Sequence, residues 1–194
     1  LALSPAFAVD GQDEPQTRSK LLIGTTRSDG LVTFHRSDEA LWLELPADLV
    51  GKDLGLAAIK VDAVGDWSVR GSSLGSSAVR FEQRGPRLVL SKLNLDFRAS
   101  DEAPLAPVVA SSFPDSPVFS AKLQAPSDDP DALLIDASDL FGPDLYEVLP
   151  SSTGFSPAEN GAQLVDLRVF PDNVVARVVH RMHKSGESGG GDED

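Results

Sequence analysis

The chain has 194 residues, 41% of them hydrophobic, with no cysteine, a formal net charge of −13 and a pI near 4.5. That length suits one domain with a real core, on the usual scale of about 100–200 residues per domain. The negative charge, unrelieved by any Lys/Arg cluster, disfavours nucleic acid and anionic membranes as partners. The lack of cysteine removes disulfides, thiolate catalysis and Cys-ligated metal together.

In chain order, Leu1 to Ala8 (LALSPAFA) is an apolar stretch ending in the small-x-small triplet Ala6-Phe7-Ala8, ahead of the polar run Val9 to Glu14. It reads as the tail of a secretory signal peptide, cleaved between Ala8 and Val9, which implies export to the periplasm or the outside. Residues 9–17 then form a flexible leader and residues 18–184 a single β-rich domain. The only methionine is Met182, so Leu1 is not an initiator. Residues 185–194 (SGESGGGDED) are a Gly/Ser/acid string that cannot offset its ordering entropy, and they read as a loop or linker at which a longer chain is cut.

Within the domain, Leu21-Leu22-Ile23, Leu31 to Phe34 and Leu41 to Leu45 are short β-prone runs, with Asp29-Gly30 as a hairpin turn. They predict a three-strand meander in which Leu41, Leu43 and Leu45 share one face while Trp42 and Glu44 take the other. Pro46 to Gly51 predicts one helical turn, with Pro early and Gly as the stop. A strand is expected over Leu54 to Val61, followed by a Gly/Ser-rich loop from Asp62 to Ser77. Ala78 to Glu82, the turn Arg84-Gly85-Pro86-Arg87 and Leu88 to Phe97 predict a hairpin with Leu93, Leu95 and Phe97 on one face.

Pro104 to Phe113 suits a short helix and Val118 to Leu123 a strand. Ala132 to Ile135 is a continuous apolar run expected of a buried strand, and Ser138-Asp139 is placed to cap a helix through Leu149. Leu164 to Phe170 and Val174 to Met182 flank Pro171-Asp172-Asn173 as a second hairpin. The fold class is therefore α+β and β-dominated, a mostly antiparallel sheet of hairpins and meander with two or three short helices. No apolar run approaches the ~18–20 residues of a membrane-spanning helix.

The three histidines decide what nitrogen-rich metal chemistry is open to the chain. His180 and His183 are three apart, which pairs them on a helix but sends them to opposite faces of a strand, and the Val-rich context favours the strand. His35 shares a face with Thr33 and is expected to be exposed. Carboxylates such as Asp101-Glu102, Asp128-Asp129 and Asp131 read as solvated acidic loops. The stretch around Pro130 lacks the alternating oxygen ligands and glycine of a calcium loop. Gly71 to Ser77 neither follows a strand nor opens a helix, so its glycines do not make a phosphate cradle. No Gly-x-Ser-x-Gly elbow occurs. No catalytic, cofactor or metal residue is assigned within the chain.

Five segments, KLLIGTT (20–26), ALWLELPADLVGKDLGLAA (40–58), GSSLGSSAVRFEQRGPRLVLSKLNLDFRA (71–99), ALLIDASDLFGPDL (132–145) and DLRVFPDNVVARV (166–178), resemble the N-terminal region of large bacterial zinc-dependent metallopeptidases that contain a DUF5117 domain. The most specific part lies between Leu74 and Arg98. The resemblance implies that zinc chemistry resides downstream, on a His-Glu-x-x-His helix where two histidines bind metal and the glutamate activates water. No such motif occurs here, so no catalytic residue carries over. The implied role is a non-catalytic domain that supports or partly lines the cleft of a downstream catalytic domain, with that domain and the parent's peptide or protein substrate as partners and zinc as the parent's cofactor. A free-standing secreted binding or adhesive β-module, with Trp42 or Trp67 on a ligand face, and an inhibitory prosegment are the alternatives.

Overall fold

The computed structural model describes residues 17–62, 69–97, 99–100, 104–124, 131–146 and 155–184. The expected signal-peptide tail, most of the leader, the terminal Gly/Ser/acid string, Asp101-Glu102, Asp128-Asp129 and Trp67 lie outside those residues. Among the described residues every strand pairing is antiparallel, and the fold is β-dominated with two short α-helices.

The meander is β1 (Thr26–Asp29), β2 (Thr33–Arg36) and β3 (Leu41–Pro46), joined on its far side by β8 (Ala132–Asp136). The second sheet runs β4 (Asp53–Ile59), β5 (Ser73–Arg84), β6 (Arg87–Lys92), β7 (Ser116–Lys122) in spatial order. The two sheets meet at a corner where Leu123 bridges Ile135 and the Gln124 N–H donates to the Leu134 carbonyl at 2.9 Å. One core lies between them. Phe34, Leu43, Leu45 and Ile135 from the first sheet and Val79, Phe81, Leu88 and Leu90 from the second belong to a single buried cluster. Truncating such residues to alanine costs about 2–5 kcal/mol each.

The predicted period of two places Leu41, Leu43 and Leu45 in that core, and the helical turn at Pro46 to Gly51 is present as a 3-10 turn, Ala47–Leu49, with Gly51 at φ 81°. The β5–β6 hairpin turns where expected, with Arg84 opposite Arg87. The short helix expected over Pro104 to Phe113 is α2 (Ala106–Ser112), with Pro107 in its first turn.

Four expectations are corrected. Leu21-Leu22-Ile23 is not the first strand: α1 (Arg18–Leu21) and a turn occupy it, and the first strand is the polar segment Thr26–Asp29. Three apolar residues carry no period, and Gly24 at φ 74° turns the chain before a strand can form. The expected loop from Asp62 to Ser77 ends early, because β5 starts at Ser73. The strand expected to reach Phe97 stops at Lys92; Leu93 is buried, but Leu95 and Phe97 leave the sheet, and Phe97 stacks on Phe113 at 4.2 Å between centroids. The helix expected after Ser138 is a series of turns ending in a 3-10 turn, Pro143–Leu145, since Pro143 disfavours helical backbone at Gly142 and has no N–H to donate. The Ser138 hydroxyl instead accepts the Leu41 N–H at 3.3 Å.

A long ribbon, β9 (Phe155–Val169) with β10 (Val174–Lys184), completes the fold. Its loop is closed by the Phe170 N–H donating to the Asn173 carbonyl at 2.8 Å, around the expected Pro171-Asp172-Asn173 turn. Leu164, Leu167, Val169 and Val174 pack on the core cluster. The tip is held by the Leu31 N–H on the Phe170 carbonyl at 2.7 Å, and Arg36 Nη2 donates to the Leu164 carbonyl at 3.0 Å. Gly30 permits this approach, since a Cβ there would lie 2.4 Å from the Phe170 oxygen.

Candidate functional site

The sheet registers define a second, polar face on the meander. Arg27 lies opposite His35, Asp29 opposite Thr33, Thr33 opposite Glu44 and His35 opposite Trp42, so these side chains share the face directed away from the core. On an uncovered sheet this face would be wet. Here α1 lies against it, and His35 and Glu44 are only 6% and 5% exposed.

The expectation that His35 is exposed is therefore corrected, while its placement on the Thr33 face holds. The Arg18 guanidinium forms a charge-assisted hydrogen bond with Glu44 Oε1. His35 Nε2 lies 3.2 Å from the same oxygen but not in hydrogen-bonding geometry, and it has no other partner among the described residues. The Arg18–Glu44 bond ties α1 to the sheet, with His35 packed beside it. Toward the solvent side of the same face, Arg27 Nε donates to Asp29 at 2.7 Å and the Thr33 hydroxyl donates to Asp29 at 2.9 Å. Arg27, then Thr33, hold the Asp29 carboxyl below its ordinary range, and Asp29 raises the Arg27 guanidinium in return.

The second site is where the ribbon meets the body. Exposure alternates along β10, so His180 faces inward with Val174, Ala176, Val178 and Met182, whereas His183 faces outward with Val175, Arg177, Val179 and Arg181. The two histidines therefore lie on opposite faces of a strand. His180 Nε2 and the Tyr146 hydroxyl are 2.7 Å apart, with the rings edge-on at 83°. Burial lowers the His180 imidazole below its ordinary pKa and raises the Tyr146 phenol above its own. Both directions favour neutral partners, and the imidazole tautomer sets which of Tyr146 Oη and His180 Nε2 is the donor. The pair pins the ribbon to the segment that carries Tyr146.

Among the described residues no three His, Asp or Glu side chains converge as metal ligands, and no helix is long and apolar enough to cross a membrane. Asp131 is exposed at the start of β8, Trp42 is half-buried on the covered face, and Ser73 to Ser77 are strand residues. The chain matches no family model, no curated protein and no solved structure.

Neither the Arg18–Glu44–His35 trio nor the Tyr146–His180 pair is anticipated by sequence reasoning. The trio has one usable signal, Glu44 and His35 at same-face positions of adjacent predicted strands. The pair spans 34 positions and has none.

Proposed function

We propose that the chain is a non-catalytic domain of an exported zinc-dependent metallopeptidase, supporting or partly lining the cleft of a downstream catalytic domain. The observation that carries this reading is where the family-like segments fall. The 71–99 segment, the most specific, spans the β5–β6 hairpin, whose Val79, Phe81, Leu88 and Leu90 are buried, and the 166–178 segment spans the ribbon turn. The similarity thus lies in residues that build a scaffold. Two polar groups away from solvent are likewise engaged within the fold: Glu44 is held by Arg18, and the part-buried His180 by Tyr146. A domain so arranged offers surface and rigidity to a neighbour.

The test is to sequence the coding frame beyond Asp194 and to assay residues 9–194 beside the longer product. The expected outcome is a His-Glu-x-x-His helix downstream, with zinc-dependent peptidase activity in the longer product only. A stop codon within a few residues, or one tightly held zinc per chain in residues 9–194 that is lost in His180→Ala, overturns it. A free-standing binding module is the second reading, and the exposed outer face of the ribbon favours it, with Val175, Val179 and Val165 each about half exposed.

A further inference from the structure

The outer face of the ribbon departs from the rest of the molecule. The chain carries 30 acidic and 17 basic residues, and its described arginines are mostly engaged by carboxylates: Arg18 with Glu44, Arg27 with Asp29, Arg80 with Asp53, Arg84 with Glu82, Arg168 with Asp166. Arg177 and Arg181 join no ion pair among the described residues, although both point outward from β10. Asp166 stands opposite Arg177 in the register, but it is engaged by Arg168 at 2.9 Å. Between the two arginines lies Val179, 51% exposed, and before them Val175, 53% exposed. A shallow depression beside Val179 and Arg181 is floored by Gly161 and Ala162.

The strand that presents this face is also an edge. β10 is 11 residues long and pairs with β9 alone among the described residues, so its other side is a row of backbone donors and acceptors. Bare edges of that length recruit strands unless charges forbid it. The arginines disfavour a second copy of this chain in the register centred on Val179, where antiparallel pairing would set each Arg177 against an Arg181, and like charges directly opposite are destabilising. The same pattern welcomes the complement.

We propose that the free edge of β10 is a docking site for an extended acidic peptide segment, which adds to the ribbon as a third strand. Main-chain hydrogen bonds along the edge supply affinity, and alternate side chains supply selection. Facing Val175, Arg177, Val179 and Arg181 in turn, the incoming strand carries apolar and acidic residues alternately at every second position. This docking stands whether or not a metallopeptidase domain follows in the chain.

The probe is a ten-residue peptide with valine and glutamate alternating at every second position and threonine between them, titrated into the ¹⁵N-labelled full chain. Saturable shifts confined to β9 and β10, with new exchange protection of β10 amides, are expected. Replacing both arginines (Arg177→Glu with Arg181→Glu) weakens binding about tenfold, the equivalent of roughly 1.4 kcal/mol. Both side chains are exposed, so the fold is retained, and unchanged spectra outside the ribbon verify it. A peptide N-methylated at alternate residues loses the edge hydrogen bonds and is expected not to bind. Equal binding of the N-methylated peptide, equal binding with lysine in place of glutamate, an unweakened double variant, shifts centred elsewhere, or no saturation at millimolar peptide would each overturn the assignment.

Discussion

Consider removal of Arg18 from the buried trio. The Arg18 and Glu44 side chains are 15% and 6% exposed, so Arg18→Ala leaves a carboxylate in the interior without its hydrogen-bonded cation, His35 beside it. Glu44 cannot escape, because β3 is held between β2 through Thr33 and β8 through Leu134. Breaking a buried ion pair in this way typically costs about 3–5 kcal/mol, and water entering the space left by the guanidinium should bring the loss here to roughly 3 kcal/mol. Glu44→Gln is milder. The amide keeps an acceptor for Arg18, and Arg18 sits on a four-residue helix with no buried residue, so the cation can turn toward solvent. A loss of about 1–2 kcal/mol is expected, the scale of weakening one hydrogen bond to a charged group. The double variant strands no charge and should be more stable than Arg18→Ala alone, a coupling of roughly 2 kcal/mol. Urea unfolding followed by far-UV circular dichroism measures all four corners of the cycle. If Arg18→Ala lies within about 0.5 kcal/mol of the parent, the level of ordinary surface changes, or if the two losses add, the buried clamp is wrong.

Gly30→Ala should lift the ribbon tip, because the added Cβ meets Phe170 O at 2.4 Å and no rotamer relieves a backbone clash. A loss of about 2–3 kcal/mol, with faster amide exchange at Leu31, is expected, and unchanged exchange there would show that the tip is not held as described. Acidification should loosen the ribbon through His180. Its folded pKa is lowered by burial, so the unfolded chain binds the proton first; stability is full above the unfolded value of about 6.5 and falls as pH drops toward the folded one. His180→Gln, which keeps an acceptor for Tyr146, should flatten the pH dependence of the urea midpoint in that window, and an identical slope in both proteins would remove His180 from the account. Replacing Asp172 and Asn173 together with valine should destabilise the fold by roughly 1–3 kcal/mol through the closed Phe170–Asn173 turn, and an unchanged urea midpoint would count against that turn setting the register.

What the sequence made legible was periodicity. Leu41, Leu43 and Leu45 alternate with Trp42 and Glu44, and both faces of β3 are assigned correctly because a strand leaves no choice of period. The ribbon strands and their Pro-Asp-Asn turn are legible for the same reason, with local chemistry marking the reversal. β1 is not legible. Thr26–Asp29 is an exposed edge strand with no apolar alternation, and its geometry comes from pairing with β2. The apolar residues nearby, Leu21 and Leu22, are half-buried in α1 and the turn after it.

The site shows the deeper reason. Period two says which side chains share a face; it does not say whether anything covers that face. His35 is on the Thr33 face as expected, but it is buried because α1, 17 residues earlier in the chain than His35 at its first residue, brings Arg18 onto Glu44. His180 faces inward as the alternation requires, but the hydrogen bond that defines its chemistry comes from Tyr146 in another element. Arg177 and Arg181 occupy the opposite side of the same strand, at the same spacing, where no described element covers them. Identical local pattern thus yields a part-buried imidazole hydrogen-bonded to Tyr146 on one side of β10 and, on the other, two arginines that join no ion pair among the described residues. The difference is long-range coverage, and it is the covered side that holds the fold together while the uncovered side remains available to a partner.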